Sequence, residues 1–86
     1  MSKCSKAEEK ARSSSSNLAL SDLCRLAECY GFVFRRQVGS HRIYTHPLHP
    51  EARMNFQDDR GKAKPYQVQQ LLDWIGARAA DPEAPS

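Results

Sequence analysis

Phe32-Val33-Phe34-Arg35-Arg36-Gln37-Val38-Gly39-Ser40-His41-Arg42-Ile43-Tyr44-Thr45-His46 is the stretch that decides the fold of this chain. Its first part is aromatic and β-branched, and period two puts Phe32 and Phe34 on one side. Val38-Gly39 marks a hairpin turn, because glycine accepts the positive φ that tight turns need. Residues 41–46 form the returning strand. His41, Ile43 and Thr45 share one face of it, and Arg42, Tyr44 and His46 share the other. If Ile43 is the core residue, His41 points inward; if Tyr44 is the anchor, His41 meets solvent. Alternation alone does not choose, and a chemical role for His41 requires the second arrangement.

Working outward, Ser21 stands as an N-cap, with Asp22 in the first turn beside the positive end of the helix dipole. Leu23, Leu26, Ala27 and Tyr30 then recur at helical spacing up to a Gly31 stop, which predicts a helix over 21–30. After the hairpin, Pro47-Leu48-His49-Pro50 predicts a loop. Ala52, Met54 and Phe56 then alternate with Arg53 and Asn55, giving a third strand. Pro65 suits a first helical position, and Val68, Leu71, Leu72 and Ile75 form one apolar stripe ending at Gly76. The order is α-β-β-β-α. The expected architecture is an α+β domain, a three-stranded antiparallel sheet with two helices on one face and the other face open.

The chain has 86 residues, enough for one domain with a small core. Residues 1–17 read as a flexible leader with at most a short helix, interrupted by Ser13-Ser14-Ser15-Ser16-Asn17. Residues 18–76 form the domain, and 77–86 read as a frayed tail with two prolines. No apolar run approaches a membrane span or a signal peptide, so a cytoplasmic protein is expected. The net charge of +3 is mild. It is concentrated between positions 35 and 64, where seven basic residues face three acidic ones. Three cysteines, Cys4, Cys24 and Cys29, lack ligand spacing and are expected to be free thiols.

His41 is the candidate for chemistry. An imidazole titrates near neutrality and can exchange protons with oxygen, and guanidinium groups pair with phosphate through a planar fork of donors. Arg35, Arg36, Ser40 and Arg42 surround it in sequence. Lys62 and Lys64 precede the last helix, whose N-terminus also favours anions. His46, His49, Asp58 and Asp59 do not form a metal-ligand pattern, so neither a metal nor a cofactor is expected. Trp74, off the apolar stripe, reads as packing at the core edge.

Gly31-Phe32, then Gly39-Ser40-His41-Arg42-Ile43-Tyr44-Thr45-His46-Pro47, then Gly61-Lys62-Ala63-Lys64-Pro65-Tyr66-Gln67-Val68, resemble the HicA family of bacterial toxins over about residues 17–75. The resemblance implies a fold similar to double-stranded-RNA-binding domains. It also implies an RNA-cleaving toxin acting without a ribosome, His41 as the residue on which toxicity depends, and a HicB-like antitoxin that covers the site. Many members carry a T-V-P segment and a further histidine where this chain has Arg53-Met54-Asn55-Phe56-Gln57. The serine-rich leader also lies outside the family pattern. The expected reaction is metal-independent cleavage of mRNA, with His41 moving the proton and Arg35, Arg36, Ser40, Arg42, Lys62 and Lys64 holding phosphate. Non-catalytic RNA binding by the same fold is the alternative, and docking of a protein on the open sheet face is a third.

Overall fold

The computed structural model describes residues 3–79, and the side chains of 4–77. Three helices, α1 (Lys3–Ser13), α2 (Leu20–Cys29) and α3 (Pro65–Ala79), accompany three strands, β1 (Val33–Val38), β2 (His41–His46) and β3 (His49–Gln57). The sheet is antiparallel in the order β1-β2-β3. This is the expected α+β fold, consistent with a double-stranded-RNA-binding-like arrangement, with one helix added at the front.

The core lies between the sheet and the helices. Tyr44, Met54 and Phe56 from the strands pack with Leu20, Leu23 and Leu26 of α2 and with Val68, Leu71 and Ile75 of α3. Tyr44, not Ile43, is the inward anchor of β2: its ring meets Phe34 and Phe56, with centroids 5.5 Å apart in each case. Ile43 is buried but lies outside the core cluster. It sits on the opposite face between its cross-strand partners Arg36 and Asn55.

Several local expectations are corrected. The first hairpin turns at Gly39-Ser40, since Val38 pairs with His41 across it; Gly39 takes φ +59°. Helix α2 begins at Leu20, and Ala19 precedes it without a side-chain cap. Its N-terminal backbone is held by Gly61 O, which accepts from Leu20 N at 2.9 Å. This long-range partner removes the need for a serine cap. The proline-bounded loop shrinks to Pro47-Leu48, because His46 pairs with His49. Pro50, Glu51 and Ala52 then intervene on β3 before Arg53 pairs with Thr45, a bulge where Pro50 removes no ladder bond. Helix α3 runs through Gly76 to Ala79; the rest of the expected tail lies outside the described residues.

The largest departure is the leader. Residues 3–13 form α1, and Ala7 and Ala11 are buried in the core cluster. Only these two small side chains mark its inner face, too weak a stripe to read from sequence. Polar contacts reinforce the docking. The Tyr30 hydroxyl donates to Glu8 Oε1 at 2.5 Å, and Arg12 pairs with the other oxygen at 2.9 Å. The Tyr30 bond first, then Arg12, holds the Glu8 carboxyl below its usual range. Cys4 and Cys29 are joined by a disulfide, contrary to the expectation of free thiols, and Cys24 alone of the three is free and buried. The spacing of Cys24 and Cys29 on one helix held no hint of a partner on α1.

A second anchor is His46. Its Nε2–H donates to Tyr30 O at 2.9 Å, and its Nδ1 accepts from Leu48 N at 3.1 Å. Its ring lies between Phe32 and Trp74, with centroids 5.2 and 5.5 Å away, so Trp74 packs at the core edge as its place off the stripe suggested. Gly31 passes so close that a Cβ there would lie 2.6 Å from His46 Nε2, and its φ is +97°.

Reduction of the Cys4–Cys29 disulfide, which spans 25 residues, is expected to lower unfolding stability by up to about 3.5 kcal/mol through chain entropy, read by denaturant titration with and without reductant. Gly31→Ala is expected to cost at least roughly 1–2 kcal/mol from its left-handed backbone alone, with further loss as the His46 ring is displaced. A midpoint equal to wild type would refute that account.

Candidate active site

The inward turn of Tyr44 sets the direction of every neighbour on β2. Arg42 and His46 share its face and meet the helices, while His41, Ile43 and Thr45 point outward. His41 is half-buried and lies at the end of the sheet where β2 leaves the Gly39-Ser40 turn. Its cross-strand partners are Val38 on β1 and Gln57 on β3. Its Nδ1 lies 2.9 Å from Asn55 Oδ1, and the pair is exposed.

Guanidinium groups reach this face by an irregularity in β1. Phe34 pairs with Tyr44 and Arg36 pairs with Ile43, so Arg35 is one residue more than β2 matches. In a regular strand, alternation would send one of two consecutive arginines toward the helices. The bulge sends both outward: Arg36 stands beside Ile43, and Arg35 Nε donates to Thr45 Oγ1 at 2.9 Å. Arg53, across from Thr45 on β3, adds a third. No strand residue from 33–46 or from 53–57 is acidic, so the outward face that bears this imidazole carries net positive charge.

Ser40 is exposed at the turn, and its carbonyl accepts from Asp58 N at 2.8 Å. That bond brings the loop 58–64 to the His41 end of the sheet. Within the loop, Asp58 Oδ1 accepts from Gly61 N at 2.7 Å, and Asp59 pairs through its backbone with Lys62. Both lysines already have partners: Lys64 Nζ lies 3.5 Å from Asp59, and Lys62 donates to Asn17 Oδ1. The start of α3 is fixed by buried Gln67, whose Oε1 accepts from Gln57 N at 2.7 Å. His41, Ser40, Lys62 and Lys64 thus belong to one end of the molecule, with Arg35 and Arg36 further along the same outward face.

Arg42 does not join them. It lies on the helix side, its Nη1 3.8 Å from Cys24 Sγ. Its place next to His41 in sequence is what turns it away. Tyr44 is likewise turned away from this face: its hydroxyl donates to Glu28 Oε2 at 3.2 Å beneath the sheet. Burial above all, with Cys24 and Glu28 adding to it, pushes the phenol far above its ordinary range. Asn55 and Arg53 are the residues that sequence reasoning did not select. Alternation had placed both on the outward side of β3, but the β2–β3 register that brings Asn55 to His41 depends on the three-residue bulge.

His46 and His49 lie with ring centroids 4.8 Å apart, packed against Trp74, away from His41. Among the described residues, no group of three or more His, Cys, Asp or Glu is placed to hold a metal ion. No helix among them is long and apolar enough to cross a membrane.

Compared with known proteins, residues 20–77 match the family model described as the HicA toxin of bacterial toxin–antitoxin systems. That span contains α2, all three strands and nearly all of α3, and it leaves α1 outside. No curated protein and no solved structure matches the chain significantly.

Proposed function

The chain belongs to the HicA toxin family of bacterial toxin–antitoxin modules, and from that premise we propose that it is a metal-independent endoribonuclease acting on mRNA in the cytoplasm, neutralised by a HicB-like antitoxin. The observation that carries the reading is the outward His41 on a face bearing Arg35, Arg36 and Arg53 and no strand carboxylate near it. A general base needs an open imidazole edge, and a phosphodiester needs cations that steady its charge as the transition state forms.

In the proposed reaction, His41 takes the proton of a ribose 2′-hydroxyl. The 2′-oxygen forms a bond to phosphorus, and the bond from phosphorus to the 5′-oxygen breaks. The leaving oxygen takes a proton from the Ser40 hydroxyl or from water. The products are a 2′,3′-cyclic phosphate and a 5′-hydroxyl. Arg36 and Arg35 hold the scissile phosphate, and Lys62 and Lys64 draw the strand toward the loop at the turn. Arg42, directed at Cys24, takes no part. DNA resists because it lacks the attacking oxygen. In a reducing cytoplasm Cys4 and Cys29 stand as adjacent thiols, and α1 then relies on its alanine contacts and the Tyr30–Glu8 bond.

His41→Ala is expected to keep RNA binding while cleavage falls about 10²–10⁴-fold and growth arrest disappears in a host without antitoxin. Cleavage by the wild type should persist in a chelator; its loss there would refute the metal-free scheme, and unchanged cleavage by the variant would refute the role of His41. Arg36→Ala is expected to weaken binding to single-stranded RNAs of any sequence to a similar degree. The slope of log affinity against log salt should fall by about 0.7, measured by fluorescence anisotropy across a salt series.

A further inference from the structure

We propose that Asn55 is the positioning residue of this site, holding His41 in the tautomer whose proton sits on Nδ1 so that Nε2 presents a lone pair outward. The inference deepens the nuclease reading and rests on it for its kinetic consequence, while the tautomer itself stands on geometry alone.

An imidazole at a sheet surface has two neutral forms and can rotate, and the hydrogen bond made by one nitrogen decides what the other can do. Here the ring nitrogen Nδ1 meets the amide oxygen of Asn55 at 2.9 Å. An amide oxygen only accepts, so Nδ1 carries the proton and Nε2 is left basic. Were the amide NH₂ turned to the ring instead, Nδ1 would accept, Nε2 would carry the proton, and the free edge would be an acid. The orientation of one side chain therefore selects between base and acid.

Val38, opposite on β1, has no polar side-chain atom, and Gln57, opposite on β3, gives its backbone N–H to Gln67; the side-chain hydrogen bond of the ring is the one with Asn55. The charged groups on the outward face are Arg36 beside Ile43 and, further along at Thr45, Arg35 and Arg53; the loop joined to Ser40 carries Asp58, Asp59, Arg60, Lys62 and Lys64. Asn55 reaches the ring because it sits one step along from Gln57 on the same face, diagonal to His41, a spacing that side chains bridge. A neutral amide also suits the surroundings. It fixes the ring without adding an anion that would compete with phosphate for the arginines. This chain has Asn55 within the Arg53-Met54-Asn55-Phe56-Gln57 segment that departs from the commoner family pattern.

Two measurements test the assignment. Nitrogen-15 NMR of histidine-labelled wild-type protein above the titration range of His41 should show the Nδ1–H form for this ring, and Asn55→Ala should lose that preference. On RNA, Asn55→Ala is expected to lower kcat by about 10- to 100-fold with KM little changed, at a melting temperature near wild type. Asn55→Asp should retain the hold on the ring and most of kcat. Its carboxylate favours the imidazolium, so the acidic limb of the pH–rate profile should move to higher pH. A wild-type ring protonated on Nε2, or an Asn55→Ala variant with unaltered tautomer, kcat and pH profile, would overturn the assignment. A wild type that does not cleave RNA would sink the nuclease reading, and the nitrogen spectrum would still decide whether Asn55 sets the ring.

Discussion

The burial of Tyr44 is the constraint from which the rest of the outward face follows. Its ring packs between Phe34 and Phe56, and its hydroxyl is satisfied by Glu28 on α2. A strand has only two sides, so fixing one residue fixes all. With Tyr44 inward, His41 must face away from the helices, and Arg42 must face them. A slip of one residue would bury the imidazole and expose the phenol. The aromatic core and the outward placement of His41 are thus one and the same energetic decision.

Two of the chain's histidines show how environment separates a ring with both nitrogens engaged from one with a single nitrogen held. His46 has both ring nitrogens engaged by backbone, at Tyr30 O and Leu48 N, and is enclosed by Phe32 and Trp74. It joins the end of α2 to the second hairpin and has no edge left to offer. His41 has one nitrogen held by the exposed amide of Asn55 and lies on the face opposite Tyr44. The two are five residues apart, an odd number, which is why they occupy opposite faces.

Much of this architecture was legible in the residue order. The period-two pattern of Ala52, Met54 and Phe56, the apolar stripe from Val68 to Ile75 and the glycine turn before His41 mark elements whose local pattern and tertiary packing agree. What escaped was set by long-range partners. Helix α1 shows only two alanines on its inner face, and its disulfide links residues that no spacing rule pairs. The capping of α2 by Gly61 O replaces the serine that local chemistry favours. At the site, His41 and the two adjacent arginines of β1 were visible as residue types. Their sharing of a face with Arg53 and Asn55 depends on two bulges, and bulges are decided by pairing, not by composition.

The irregularity at Arg35 also bears on how the molecule tolerates its own open sheet. Strand β1 is an edge with every residue exposed, including Val33, Phe34 and Val38. Such a border invites the backbone of another copy to dock and propagate. An unmatched residue in its middle spoils the flat row of amides, and adjacent cations would confront their own duplicates in an antiparallel pairing. The same kink that turns both arginines outward therefore also works against edge-to-edge pairing of neighbouring copies.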